Sequence, residues 1–188
     1  LWQWLDANTT VPHKPNKKPP YKSLPNIKAV VVSGDAMIYG SLIGSRKHDM
    51  TQAKLMERVD RFKEFAVSHP STRLYVFSSV MRTPRTGQAA GIGEPDYYTS
   101  YGSDIFRYTA LMDKAELQGL SAREKKEVQF LKELMPAADL KDWLGRRQKN
   151  LAVNKAMIDL TKQGVFSYFC LGRDDNAPLS QTHMESRW

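Results

Sequence analysis

The sequence predicts an α/β fold: a parallel sheet built from β/α units, part of a doubly wound or β/α-barrel-like domain, with a helical insertion after the second strand. The prediction rests on three short β-rich runs, Ile27 to Ser33 (IKAVVVS), Arg73 to Ser79 (RLYVFSS) and Phe166 to Gly172 (FSYFCLG). Each is apolar on both faces, as strands covered on two sides are. Helical periodicity separates them, which is the pattern of β/α units.

In chain order, LWQWLDAN reads as the tail of a helix, and VPHKPNKKPPYKSLPN has the Pro content of an exposed connector. Residues 1–26 thus precede an α/β domain over 27–188. The chain opens without Met and stops after SQTHMES begins another helix, so this domain is expected to be incomplete. A helix from about Thr51 to Ser68 follows the first strand, with Leu55, Met56, Val59, Phe62 and Ala66 on one face and His69-Pro70 ending it. The excursion from Val80 to Ala138 is too long for an ordinary loop. It reads as two helices, Asp96 to Gln118 with a stripe of Tyr98, Tyr101, Ile105, Tyr108 and Met112, then one opened by the Ser121–Glu124 capping box. The tyrosine stripe is expected to wall a pocket over the strand ends. A longer helix, from an Asp139 cap to Gly164, leads into the third strand.

Composition narrows the function classes. Net charge is +8, but residues 1–28 hold five Lys and one Asp, and the rest carries 23 Lys plus Arg against 19 acids. Half the excess lies in a Pro-rich loop without interleaved aromatics, so no nucleic-acid partner is expected. No apolar stretch approaches the roughly 20 residues of a membrane span, and no leader is visible. The single cysteine, Cys170, is expected to be a small buried strand residue. GIGEP (Gly91 to Pro95) lacks both the third Gly and the preceding strand of a dinucleotide fingerprint.

Ligands of parallel α/β folds sit at the carboxyl ends of the strands. The first end supplies Asp35, Tyr39 and Arg46, the second Ser78, Ser79, Arg82 and Arg85, and the third Arg173, Asp174, Asp175, Asn176 and His183. Adjacent acids repel unless a cation, a donor or a shared proton compensates. Their plain reading is a turn, and Arg46 with Lys47 also suits a solvated face. On the long helix Arg147, Asn150 and Asn154 set polar groups into an apolar stripe, where they either tie the helix to neighbouring loops or reach a ligand.

The segments VVSGDAMIYGSLIGSRKHD, YVFSSVMRTPRTG, YGSDIFRYTALMD, LGRRQKNLAVNKAMIDL and LGRDDNAPLSQTH resemble, in this order, the bacterial family known as domain of unknown function 4127. The resemblance implies an α/β protein longer than this chain, often made with an export signal. It also implies a further first strand, with a D-D-R-P type turn, and a C-terminal half. Ser41 and Arg173 depart from the family's pattern, where Gly and Gln are common; neither touches an acid. The resemblance carries no activity.

The leading functional expectation is a hydrolase acting on a small-molecule or glycan substrate. Its catalytic candidates are Asp174, Asp175 and Asp35, and its substrate-binding candidates Tyr39, Arg46, Arg82, Arg147, Asn150, Asn176 and His183. Neighbouring residues on an extended chain point opposite ways, so a substrate-assisted scheme suits Asp174 and Asp175 better, one orienting a substrate amide and the other protonating the leaving oxygen. Asp35 can instead supply the second carboxylate that glycoside cleavage needs. Two other readings compete. One is a metal-dependent phosphoester or amide hydrolase, using Asp35, Asp174, Asp175 and His183 on a hard cation. The other is a non-catalytic binder of an anion clamped by Arg46, Arg82 and Arg147. No cofactor or zinc motif is assigned.

Overall fold

The computed structural model describes residues 1–9, 27–89 and 93–188. The basic connector and part of GIGEP lie outside the described residues. Strands β1 (Ala29–Ser33), β2 (Arg73–Val80) and β3 (Tyr168–Arg173) form one sheet in the order β1-β2-β3. Both pairs are parallel, with Val31 opposite Tyr75 and Tyr75 opposite Tyr168. The three strand ends therefore share one side.

Helix α1 (Trp2–Thr9) precedes β1. The first connection holds α2 (Gly34–Tyr39), α3 (Gly44–Lys47) and α4 (Gln52–Ser68). Ser33 caps α2 by accepting the Ala36 N–H, and Thr51 caps α4 by accepting that of Lys54. The second connection holds α5 (Tyr98–Gln118), α6 (Ala122–Leu134) and α7 (Ala137–Lys162), and α8 (Gln181–Arg187) follows β3. The capping box at Ser121 and Glu124 is formed as expected. Helix α7 starts at Ala137 after Pro136 rather than at an Asp139 cap, because proline's fixed φ suits a helix entrance.

Two cores result. The first packs Ile38, Leu55, Val59, Phe62 and Phe65 with Leu74, Val76, Val153, Met157 and Phe166. The second packs Tyr98, Ile105, Leu111, Leu131, Met135, Leu140 and Trp143. Helix α7 runs through both, and its Arg147 and Asn150 fall at the junction. The tyrosine stripe of α5 therefore builds this second core: Tyr98 is fully buried, and Tyr101 and Tyr108 pack against the cluster. The stripe thus packs into a core rather than lining an open pocket, while Tyr98 reaches the loop after β2 by donating to the Pro84 carbonyl.

The sheet is also covered differently from expectation. Right-handed crossovers made in one direction place their helices on the same face, and α4 and α7 pack together there. On the opposite face Val31 is 71% exposed, Phe77 49% and Tyr168 60%. Cys170, opposite Phe77 in the register, is exposed rather than buried. Alternation along each strand decides this, because successive side chains point to opposite faces. No helix among the described residues is long and apolar enough to cross a membrane.

Candidate functional site

The first strand end is built by tight backbone. Gly40 ends α2 with φ +90°, and a Cβ on Gly44 would stand 2.5 Å from the Tyr39 carbonyl oxygen. This turn folds α3 back, so that Arg46 is buried at 5% exposure rather than solvated. Asp35, in the first turn of α2, is 4% exposed and accepts a hydrogen bond of 3.2 Å from Ser79 Oγ. Burial raises its pKa above the usual carboxylate value; hydrogen bonds from Ser78 and Ser79 counter this, and the charge of Asp174 adds to it. Tyr39, also buried, stacks on His48, and its hydroxyl has no hydrogen-bond partner among the described residues.

From the third strand end comes Asp174, whose side chain is 30% exposed and whose Oδ2 accepts a hydrogen bond from Arg46 Nη2. The other face of Arg46 meets a carboxylate that sequence reasoning passed over. Glu94 is fully buried, with Oε1 4.0 Å from Arg46 Nε. Among the described residues neither of its oxygens has a hydrogen-bond partner, and Arg46 Nε, Arg82 Nε and Trp143 Nε1 are buried without one too. Burial pushes the Glu94 pKa up to about 7, against the pull of Arg46, Arg147 and Arg82 and of the Trp143 indole N–H, close by but outside hydrogen-bond geometry. The only sequence trace of Glu94 is GIGEP, where a lone acid between Gly and Pro has no periodicity to mark it as buried.

Other candidates are committed to holding the rim together. Asp175 Oδ2 accepts the Thr83 N–H at 2.7 Å and Oδ1 the Ala177 N–H at 3.0 Å. Its neighbour Asp174 thus stands toward Arg46 while Asp175 ties the loop after β3 to the loop after β2. Asp175→Ala is expected to lower stability by about 1–3 kcal/mol, because these N–H groups lose their acceptors. Asn has one carbonyl oxygen and should recover only part of it. Urea unfolding checks this, and an Ala variant as stable as wild type would refute the tie.

Arg147, 1% exposed, donates from Nε and Nη2 to Glu185 at 2.7 and 2.6 Å, and to the carbonyls of Arg82 and Met81 at 2.9 and 2.8 Å. Its guanidinium also lies over the Trp143 ring at 4.8 Å. Its donors are occupied by α8 and the β2 end, which removes it from the set of free anion clamps. Asn150 is similarly used: its amide donates to the Ser45 carbonyl at 2.7 Å, and its Oδ1 lies 2.8 Å from His48 Nε2. An amide oxygen only accepts, so His48 carries its proton on Nε2 and leaves Nδ1 as a buried acceptor without a partner among the described residues. Burial lowers the His48 pKa. His183 Nδ1 is 2.7 Å from Asp113 Oδ2, and Asp113 also accepts from the Ser180 N–H and from Arg187. His183 therefore joins α8 to α5. Asn176 is exposed, and Arg82 is half-buried.

The structure thus brings Asp35, Tyr39, Arg46, Arg82 and Asp174 together around the strand ends, with Glu94 added. It commits Asp175, Arg147, Asn150 and His183 to neighbouring backbone and side chains. Among the described residues, no group of three or more His, Cys, Asp or Glu side chains is placed to hold a metal ion.

A search of curated proteins and one of solved structures return no significant match. A scan against protein-family models matches residues 21–188 to the family described as Protein of unknown function (DUF4127). The match takes in all three strands and every residue of the rim, and the chain belongs to the DUF4127 family.

Proposed function

We propose that the rim is a hydrolytic site for a polar, sugar-containing small molecule or glycan, with Asp35 as proton donor and Asp174 as its carboxylate partner. The observation that carries this reading is the contrast between the two acids. Asp35 is buried, with its pKa raised, while Asp174 is partly exposed on a guanidinium. Carboxyl groups in unlike environments divide into acid and base roles, as general acid–base catalysis requires. In this scheme Asp35 gives its proton to the leaving oxygen as that bond breaks. A water adds its hydroxyl to the electrophilic carbon and passes its proton to Asp174. Arg46 orients Asp174, and the Tyr39 hydroxyl lies close enough for its charge to couple with that of Asp35. A sugar-containing substrate would also suit the export that the resemblance implies.

The test is turnover of a panel of nitrophenyl glycosides by the full-length protein and its Asp35→Asn and Asp174→Asn variants. Each substitution is expected to lower kcat/KM about 100-fold or more. Asp35→Asn should leave the melting temperature unchanged or higher at neutral pH, since a buried acid with a raised pKa costs stability once ionised. Undiminished turnover in both variants would sink the assignment.

A further inference from the structure

Arg46 is placed between two carboxylates that it does not serve equally. Its Nη2 bonds Asp174, while its Nε stands 4.0 Å from Glu94 Oε1, beyond hydrogen-bond reach, and has no hydrogen-bond partner among the described residues. Buried polar groups are normally satisfied, so an orphan N–H beside two orphan carboxyl oxygens calls for a reason. The local packing allows a short movement. Gly93 faces the guanidiniums with no side chain, a Cβ there standing 3.1 Å from Arg46 Nη1 and 3.6 Å from Arg82 Nη2.

We infer that Glu94 is a positioning residue of the rim: it is the second seat of the Arg46 guanidinium, and its charge state sets how firmly Asp174 is paired. With Glu94 neutral, only Asp174 offers a full negative charge to Arg46, and the pair closes. With Glu94 ionised, the orphan Nε–H gains a charged acceptor and Asp174 is partly released toward solvent. The groups facing Glu94 from each packed element are Arg46 of α3, Arg82 after β2, Tyr98 of α5, and Trp143 and Arg147 of α7. Arg147 is held by Glu185 and Tyr98 donates to the Pro84 carbonyl at 2.7 Å. Among these groups Arg46, Arg82 and Trp143 have N–H groups with no hydrogen-bond partner among the described residues, and of the three only the two guanidiniums are charged. Asp174 is met by Arg46 and, through space, by Asp35. The inference rests on Asp174 being the outward acid of the proposed site for its catalytic meaning, but not for its measurement.

That measurement is NMR of the side-chain carboxyl carbons and arginine Nε–H groups of the labelled full chain, from pH 5.5 to 8.5. In wild type the Asp174 carboxyl and the Arg46 Nε–H are expected to shift together with Glu94, with one midpoint near 7. In Glu94→Gln the Asp174 and Arg46 shifts should vanish over the same range. Asp174 and Arg46 signals that stay flat while Glu94 titrates overturn the inference in wild type alone, whether or not the variant folds. A variant that keeps the shift overturns it as well. Because ion pairing is read and not turnover, loss of the hydrolytic reading would leave this result standing, and the converse holds.

Discussion

Arg147→Ala is expected to destabilise the chain by about 3–5 kcal/mol, the cost of removing one partner from a buried ion pair. Glu185, 7% exposed, would be left as an uncompensated charge, since its two oxygens bond Arg147 Nε and Nη2 and its other partner among the described residues is the neutral Gln181 amide. The carbonyls of Met81 and Arg82 would lose donors at the same time. Domain stabilities of roughly 5–15 kcal/mol leave little after such a loss. Arg147→Lys should rescue only in part, because an ammonium cannot make the planar fork with a carboxylate or lie flat on Trp143. Removing both charges with Arg147→Met and Glu185→Leu should come close to wild type. Denaturant unfolding separates these outcomes. A cost under about 1 kcal/mol for the Ala variant would mean that the pair is not what holds α8 to α7, and would return Arg147 to the set of ligand clamps.

The second large effect is on the pH dependence of stability. A carboxyl group whose folded pKa lies above its unfolded value retains a proton that the unfolded chain has already released. Stability then falls as pH rises through that window, the reverse of a salt-bridged acid. For Glu94 the window runs from its ordinary value of 4.5 to about 7. That displacement corresponds to about 3 kcal/mol, at 1.36 kcal/mol per unit. Below the window the group costs nothing, and above it the full cost is present. Glu94→Gln cannot titrate, so the difference in unfolding free energy between wild type and variant should change by about this amount from pH 4.5 to pH 7 and then level off. The pH dependence is the informative quantity rather than the stability at one pH, because a Gln amide aims its own donors at Arg46 and Arg82. Parallel stability curves for the two proteins would show that Glu94 ionises as freely folded as unfolded, and that the orphan carboxyl is satisfied in solution.

Local chemistry determined the parts of this protein that depend on neighbours in sequence. The runs AVVV, LYVF and YFCL made the strands, the apolar spacing of Leu55, Val59 and Phe62 made a one-sided helix, and the Ser121–Glu124 box started α6. A strand, a crossover helix and another strand are enough to predict a parallel pair, so the shared edge of Asp35, Ser79 and Asp174 was also legible. What only the tertiary structure decided is which partner each polar group meets. Asp174 and Asp175 are adjacent and alike in sequence, yet one bonds a guanidinium and the other two backbone N–H groups. Arg147 is a plausible clamp until Glu185, 38 positions away, occupies it, and Glu94 is a loop acid until α3, α5 and α7 close over it. The bare sheet face was hidden for a similar reason, since Val31, Phe77 and Tyr168 are as apolar as residues of a covered face. Secondary structure follows from short-range periodicity and capping. Burial, pairing and pKa follow from which distant surfaces exclude water from a group, and no short stretch of sequence carries that information.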